Sequence, residues 1–161
     1  MRRIKGTFKA QIIRNGKVID EFEFPNMVVR EGRNFLLKVG ISNEATQTDW
    51  YVGLIGADVT LADTDTASSA LGTGGSYQEV TAYDETARPQ YQSVFDSNRV
   101  TNQDNQATFN INDSVTVYGA FVTSTSGKND NTGVLLCAGK FDTPKNLSSG
   151  DVLNIVYSIY S

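Results

Sequence analysis

The amino-acid sequence predicts a mainly β fold: an antiparallel, jelly-roll-like β-sandwich with one helix at about 30–39 and a short helical turn near 65–71. Residues 50–56 are apolar on both side-chain parities, which indicates a strand covered on both faces. Alternating segments near both ends of the chain, and short strand-like segments after Pro89, are typical of a sandwich. At 161 residues, the chain is expected to form one domain, 1–161, with a large core.

The first element is a hairpin over residues 1–24, in which two alternating segments flank Asn15-Gly16. A two-residue loop would pair Phe8 with Glu23 and set the apolar faces on opposite sides, because a one-residue slip flips every side chain. We therefore expect a three-residue loop, 14–16, that pairs Phe8 with Phe22 and places Gly16 in the left-handed conformation of a bulge.

The next element is the helix, where apolar residues recur at helical spacing and stop at Gly40, a favourable C-terminal cap. The helix is expected to cover the outer face of strand 50–55. Gly32 costs it about 1 kcal/mol relative to Ala, which indicates a close approach on that side.

Residues 57–90 are the least regular part, and a connection of this length is usually functional or ordered by partners. An acidic cap and a terminal glycine predict the turn near 65–71. We expect residues 72–76 to be flexible and residues 77–81 to form a short strand. Beyond Pro89, strands are predicted near 91–94, 99–101, 107–111, 115–123, 134–140 and 152–160.

The composition argues against an enzyme. The chain has no histidine, which removes the commonest general base and most zinc sites. Asp84 and Glu85 are adjacent, so on a strand they face opposite sides and are a poor glycosidase pair. Asp58, Asp63 and Asp65 lack the rest of a calcium loop, so a helix cap and solvated acids are favoured. We expect no enzyme activity, no metal and no cofactor, and a buried, unreactive Cys137.

Charge is unevenly distributed along the chain. Residues 1–38 hold nine Lys and Arg against four acids, a balance of +5, and the rest holds five against fourteen, a balance of −9. The basic segment is either a solvated edge strand protected from pairing or an arm that docks on an acidic partner. For the second case the candidate contacts are Arg2, Arg3, Lys5 and Lys9. The acidic bulk argues against nucleic acid. The absence of an apolar stretch of about 20 residues argues against a membrane partner, and we expect no secretion signal.

Aromatic residues cluster around the long connection. Tyr77, Tyr83 and Tyr91, with Arg88, are candidate loop contacts that could form a sugar-stacking platform. The alternative is that these amphipathic rings pack over the sandwich.

Several segments together resemble a known family. They are residues 25–32, 35–37, 50–55, 62–68, 79–83, 87–89, 115–121 and 149–153. In this order they resemble small virion structural proteins of tailed bacteriophages, similar to head decoration (cement) proteins, over most of the chain from Pro25 onward. Residues 72–76 and the basic first strand have no counterpart in that pattern.

The resemblance implies a β-rich, non-enzymatic protein of the virion, assembled in the host cytoplasm. Its expected partner is the major capsid protein, bound by a homo-oligomer, a trimer or a dimer, at junctions between capsid subunits. The alternative function is a receptor- or carbohydrate-binding β-sandwich module of a tail or fibre, which would use the tyrosine-bearing loop.

Overall fold

Two antiparallel sheets face each other in the computed structural model, which describes residues 4–161. The mainly β class and the sandwich are confirmed, while the jelly-roll-like arrangement stays a prediction. The first sheet contains β2 (Lys17–Pro25), β1 (Lys5–Arg14), β10 (Val152–Tyr160), β6 (Arg99–Thr101) and β5 (Val94–Asp96) in that order, with β7 (Ala107–Asn110) also paired to β10. The second sheet contains β3 (Met27–Val28), β9 (Leu135–Leu147), β8 (Val115–Thr123) and β4 (Tyr51–Ile55).

The principal core lies between the two sheets and is rich in aromatic rings. Phe8 stacks on Phe24 with ring centroids 5.0 Å apart, and Tyr157 tilts against Phe8 at 4.6 Å. Phe141, from the opposite sheet, meets Phe24 edge-on at 4.8 Å. Such offset and edge-on contacts are the favoured arrangements of aromatic pairs, and they join the sheets at the hairpin.

The hairpin differs from the prediction in its loop. Arg14 pairs with Lys17, so the loop is the two-residue Asn15-Gly16 turn, with φ of 51° and 74°. The predicted three-residue loop was wrong. A bulge within the hairpin, where the register shifts between Ile12 and Ile13, brings the apolar residues of the two strands opposite each other. Phe8 therefore pairs with Phe24. The left-handed conformation of Gly16 is confirmed.

Helix α1 (Arg30–Leu37) is confirmed, but its end and its packing differ from expectation. A π-helical turn, Lys38–Ser42, follows it and contains Gly40, and the left-handed cap is Asn43, with φ of 53°. The helix lies mainly against β9, and its contact with the predicted strand 50–55 is at Trp50, which the Phe35 ring meets edge-on at 5.6 Å. A Cβ on Gly32 would collide with the backbone of Leu136, so the missing side chain is what allows this close approach.

The outer face of β4 is covered by residues 57–90. Ile55 and Phe121 pack there against Leu71, Tyr77 and α2 (Ala67–Ala70), forming a second buried cluster. Thr66 caps α2 in a reciprocal capping box with Ser69, in place of the expected acidic cap.

Backbone hydrogen bonds hold this long segment to the chain's own sheet. The Val52 amide donates to the Pro89 carbonyl at 2.9 Å, and the Val80 amide donates to the Leu54 carbonyl at 3.0 Å. The predicted strand 77–81 is reduced to a single bridge at Val80. Residues 72–76 form a compact turn, with the Ser76 amide donating to the Ser69 carbonyl at 3.1 Å, while their flexibility stays a prediction.

The later strands are confirmed with shifted bounds. The strand predicted at 91–94 lies at Val94–Asp96, and β9 extends to Leu147. Tyr91 lies before this strand, where its amide donates to the Trp50 carbonyl at 2.7 Å and its hydroxyl donates to the Tyr157 carbonyl at 2.9 Å. In the described part of the chain, no helix is long and apolar enough to cross a membrane.

Candidate functional site

The three candidate tyrosines are interior residues. Tyr77, Tyr83 and Tyr91 are all buried, and burial raises the pKa of each phenol well above its usual value. The Tyr77 hydroxyl donates to Asp65 at 2.9 Å. The rings therefore pack over the sandwich, and they offer no face on which a sugar could stack.

Arg88 is buried as well, and its partner is Glu79. Both side chains are fully buried; Nε donates to Oε1 at 2.8 Å and Nη2 donates to Oε2 at 2.7 Å. The guanidinium lies over the Phe121 ring, 5.4 Å from its centroid. Sequence reasoning selected Arg88 and missed Glu79. Local sequence could not single out Glu79, because Asp84 and Glu85 are also acidic and lie nearer to Arg88 along the chain.

The remaining bonds of this pair tie down a second loop, residues 124–133. Arg88 donates to the Thr125 carbonyl at 2.9 Å and to the Asp130 carbonyl at 2.8 Å. The Asn129 amide donates to Glu79 at 2.9 Å. The carboxylate and the guanidinium both form their hydrogen bonds with other groups of the protein. The pair is therefore a structural clamp, with no donor or acceptor left to bind a substrate.

Lys128 of the same loop completes the attachment. Its ammonium donates to the Tyr83 carbonyl at 2.8 Å and lies 3.9 Å from the centroid of the Tyr83 ring. Within residues 4–161, the Tyr83 hydroxyl is the buried side-chain polar atom that has no hydrogen-bond partner.

The basic hairpin presents mixed charge on its described face. Arg2 and Arg3 lie outside the described residues, and Lys5 is exposed. Lys9 forms an ion pair with Glu21 at 2.8 Å. The hydrogen bond to Glu21 and the nearby Glu23 raise the pKa of Lys9 above its usual value. The expected edge strand was wrong for β1, which lies between β2 and β10, so Lys9 does not protect a sheet edge. Docking through Lys5 stays a prediction.

Each of the three carboxylates that were considered as metal ligands binds a different side chain of the protein. Asp58 pairs with Lys140 at 2.6 Å and Asp63 pairs with Arg33 at 2.6 Å. Asp65 accepts the Tyr77 hydroxyl. Across residues 4–161 there is no group of three or more Cys, Asp or Glu placed to hold a metal ion.

An open groove of about 200 Å³ crosses the outer face of the first sheet. Its floor is formed by β1 and β10. One side is walled by β2 and the other by β6 and the connection to β7. The lining is rich in amide, hydroxyl and paired charged groups, of which the sequence analysis had selected only Lys9, because they come from segments far apart in the chain.

Exposed apolar side chains concentrate at three places, one of which is β2 of the hairpin, where Val18 is 52% and Ile19 is 50% exposed. On α1 and its π-helical turn, Leu37 is 60% and Ile41 is 81% exposed. On β5, at the edge of the first sheet, Phe95 is 75% exposed. Single exposed apolar residues are ordinary, but adjacent ones on one element indicate an interaction surface.

No protein-family model matches the chain, and a search of the curated proteins found no match.

Proposed function

We propose that this chain is a non-enzymatic structural protein of a tailed-bacteriophage virion, a decoration (cement) protein that binds the major capsid protein and stabilises the head. The sequence resemblance supports the class. The observation that carries the docking is the helical apolar surface, which consists of Leu37, Val39 and Ile41. Apolar side chains this exposed favour association with another protein surface.

The energetic gain from covering this surface is substantial. Full burial of a Leu or Ile side chain stabilises by about 1.5–3 kcal/mol relative to exposure. Exposed ion pairs contribute only ~0.2–1 kcal/mol each. Apolar contact through Leu37 and Ile41 would therefore supply most of the affinity for the capsid, and charges such as Lys5 would steer the encounter.

The bound form is proposed to be a homo-oligomer, a trimer or a dimer. Capsid junctions have local symmetry, so copies bound at one junction are related by it. Phe95 on the edge strand β5 is a second exposed apolar contact for such an assembly. Sedimentation of the purified chain, together with the spacing of its copies on the head, measures this directly.

The deciding experiment compares binding to heads that lack this protein. The double substitution Leu37→Ser and Ile41→Ser is expected to weaken binding at least about a hundredfold, since each tenfold corresponds to ~1.4 kcal/mol. Val18→Ser is the matched control, because Val18 is also exposed, at 52%, but lies on the hairpin. Equal binding of both variants, or density for the chain on the tail in purified particles, would contradict the proposal.

The alternative, a receptor- or carbohydrate-binding module of a tail or fibre, was assigned to the tyrosine-bearing loop. Because Tyr77, Tyr83 and Tyr91 are buried, that loop no longer supports it.

A further inference from the structure

We propose that the groove on the outer face of the first sheet binds a neutral carbohydrate. The inference concerns a different surface from the helical apolar one and does not depend on head decoration. The groove holds about 200 Å³ and is open to solvent. This is below the ~300–1,000 Å³ of a typical enclosed ligand pocket, so it suits one or two rings of a longer sugar chain.

The groups that line the groove match the chemistry of a polyol. Gln11, Asn154, Gln103 and Gln106 each present an amide that both donates and accepts hydrogen bonds. Ser158 and Tyr160 add hydroxyls of the same dual character. Sugar hydroxyls also donate and accept, so each can pair with these groups without changing a protonation state.

Both cations in the groove are paired with carboxylates, one of which, Asp96, lies outside the lining, so the site is slightly acidic overall. Its lining contains two cations, Lys9 and Arg99, and two carboxylates, Glu21 and Glu23. Lys9 pairs with Glu21 at 2.8 Å, and Arg99 pairs with Asp96 at 3.0 Å. An anionic ligand such as nucleic acid requires uncompensated cations, so the groove favours a neutral ligand.

Hydrogen bonds within the sheet hold several of these groups in place. Thr108 donates to the Asn154 side-chain oxygen at 2.8 Å, and the Asn154 amide reaches Gln11 at 3.4 Å. The Ser158 and Thr101 hydroxyls are 2.7 Å apart. Fixing these side chains before binding reduces the entropy lost when a ligand arrives.

An apolar floor accompanies the polar groups. Val156 and the ring of Tyr160 lie in the same groove. The C–H face of a sugar ring packs against such surfaces while its hydroxyls bond at the rim, and a tyrosine offers both kinds of contact.

A peptide is disfavoured as the occupant by the strand order. β1 lies between β2 and β10, and β10 lies between β1 and the β6 and β7 strands. Along nearly all of both floor strands the backbone edges are paired within the sheet, and between β7 and β6 the Asn102 side chain bonds the Ile155 carbonyl and the Tyr157 amide. A peptide therefore cannot bind here by adding a strand. Recognition must come from side chains alone, which suits a sugar better.

The test uses the full chain labelled with nitrogen-15 and follows side-chain amide resonances by NMR. The probes are maltohexaose, cellohexaose, mannohexaose and chitohexaose, each raised to about 10 mM so that a Kd near ~1 mM is detected. We expect at least one probe to shift the amide signals of Gln103, Gln106 and Asn154. Gln103→Ala and Gln106→Ala should each weaken that binding about fivefold, the effect of losing one neutral hydrogen bond.

Gln92→Ala is the matched control, because Gln92 is an exposed glutamine outside the groove and its substitution should leave binding unchanged. The proposal is overturned if no probe shifts the groove amides, or if the shifts map elsewhere. It is also overturned if a heptapeptide of Gln, Asn and Ser shifts them while every sugar fails.

Discussion

Replacing Arg88 by Met removes the guanidinium from the buried clamp while keeping a side chain of similar length. In the native chain this group makes five hydrogen bonds, two to Glu79, two to Thr125 and one to Asp130. The variant leaves the Glu79 carboxylate buried with the Asn129 amide as its remaining partner. It also removes a donor from two loop carbonyls.

The expected loss of folding free energy follows from those lost partners. Removing one member of a buried ion pair costs about 3–5 kcal/mol, and each buried group left unpaired adds ~1–3 kcal/mol. Partial relaxation and water entry offset some of this, so we expect about 4–6 kcal/mol for Arg88→Met. Total stability is typically ~5–15 kcal/mol, so this variant is close to unfolding.

Urea unfolding of four chains measures the effect. They are the native chain, Arg88→Met, Glu79→Gln and the double variant Arg88→Met with Glu79→Leu. Glu79→Gln keeps the shape and should cost about 3 kcal/mol, so it remains measurable if Arg88→Met does not fold. The double variant should be more stable than Arg88→Met, because no unpaired charge stays buried.

Arg99→Met is the matched control, since Arg99 pairs with Asp96 on the surface and its loss should cost ~0.2–1 kcal/mol. Hydrogen exchange at the backbone amides of residues 124–133 should accelerate in Arg88→Met and stay unchanged in the Arg99→Met control. If Arg88→Met cost less than about 1 kcal/mol, or if the double variant were no more stable than Arg88→Met, the clamp would not hold the loop as argued.

Three further predictions concern other contacts. The hydrogen bond from Arg14 lowers the pKa of Asp151. The pair therefore stabilises the fold above the unfolded pKa of ~3.9 and loses this effect as pH falls through the lower folded value. Asp151→Asn should lower the urea midpoint at pH 7 and have little effect in acid; a constant difference across pH would contradict the pairing. Gly53→Ala places a methyl group against the buried Phe121 ring and should cost about 1–3 kcal/mol in thermal unfolding; an unchanged melting temperature would show that the ring can move. Trp50→Ala should cost about 2–3 kcal/mol, below the ~3–5 of a fully buried aromatic, because the ring is only partly covered; a smaller loss than 1 kcal/mol would make it a contact residue.

Candidate sites were the least predictable feature of this chain. Tyr77, Tyr83, Arg88 and Tyr91 were selected because their residue types suit binding, and all four are interior. A tyrosine on a sugar platform and a tyrosine packed over a sheet have the same local sequence. The groove was missed for a related reason: Lys9 and Val156 become neighbours only when β1 pairs with β10.

Local pattern was enough to determine the elements themselves. Alternation of apolar residues identified β1, β2 and β10, and helical spacing identified α1, because a strand or a helix sets its side-chain period over a few residues. Asn15-Gly16 marked the turn because both residues tolerate positive φ.

Tertiary structure alone decided how these elements meet. The pairing of Phe8 with Phe24 depends on a bulge that neither strand encodes by itself. The position of α1 depends on contact between Gly32 and Leu136, over a hundred residues away. The partners of Arg88 are set by a loop that the guanidinium itself holds in place. Each outcome depends on atoms distant in sequence, because burial and hydrogen bonding are satisfied over the whole fold at once.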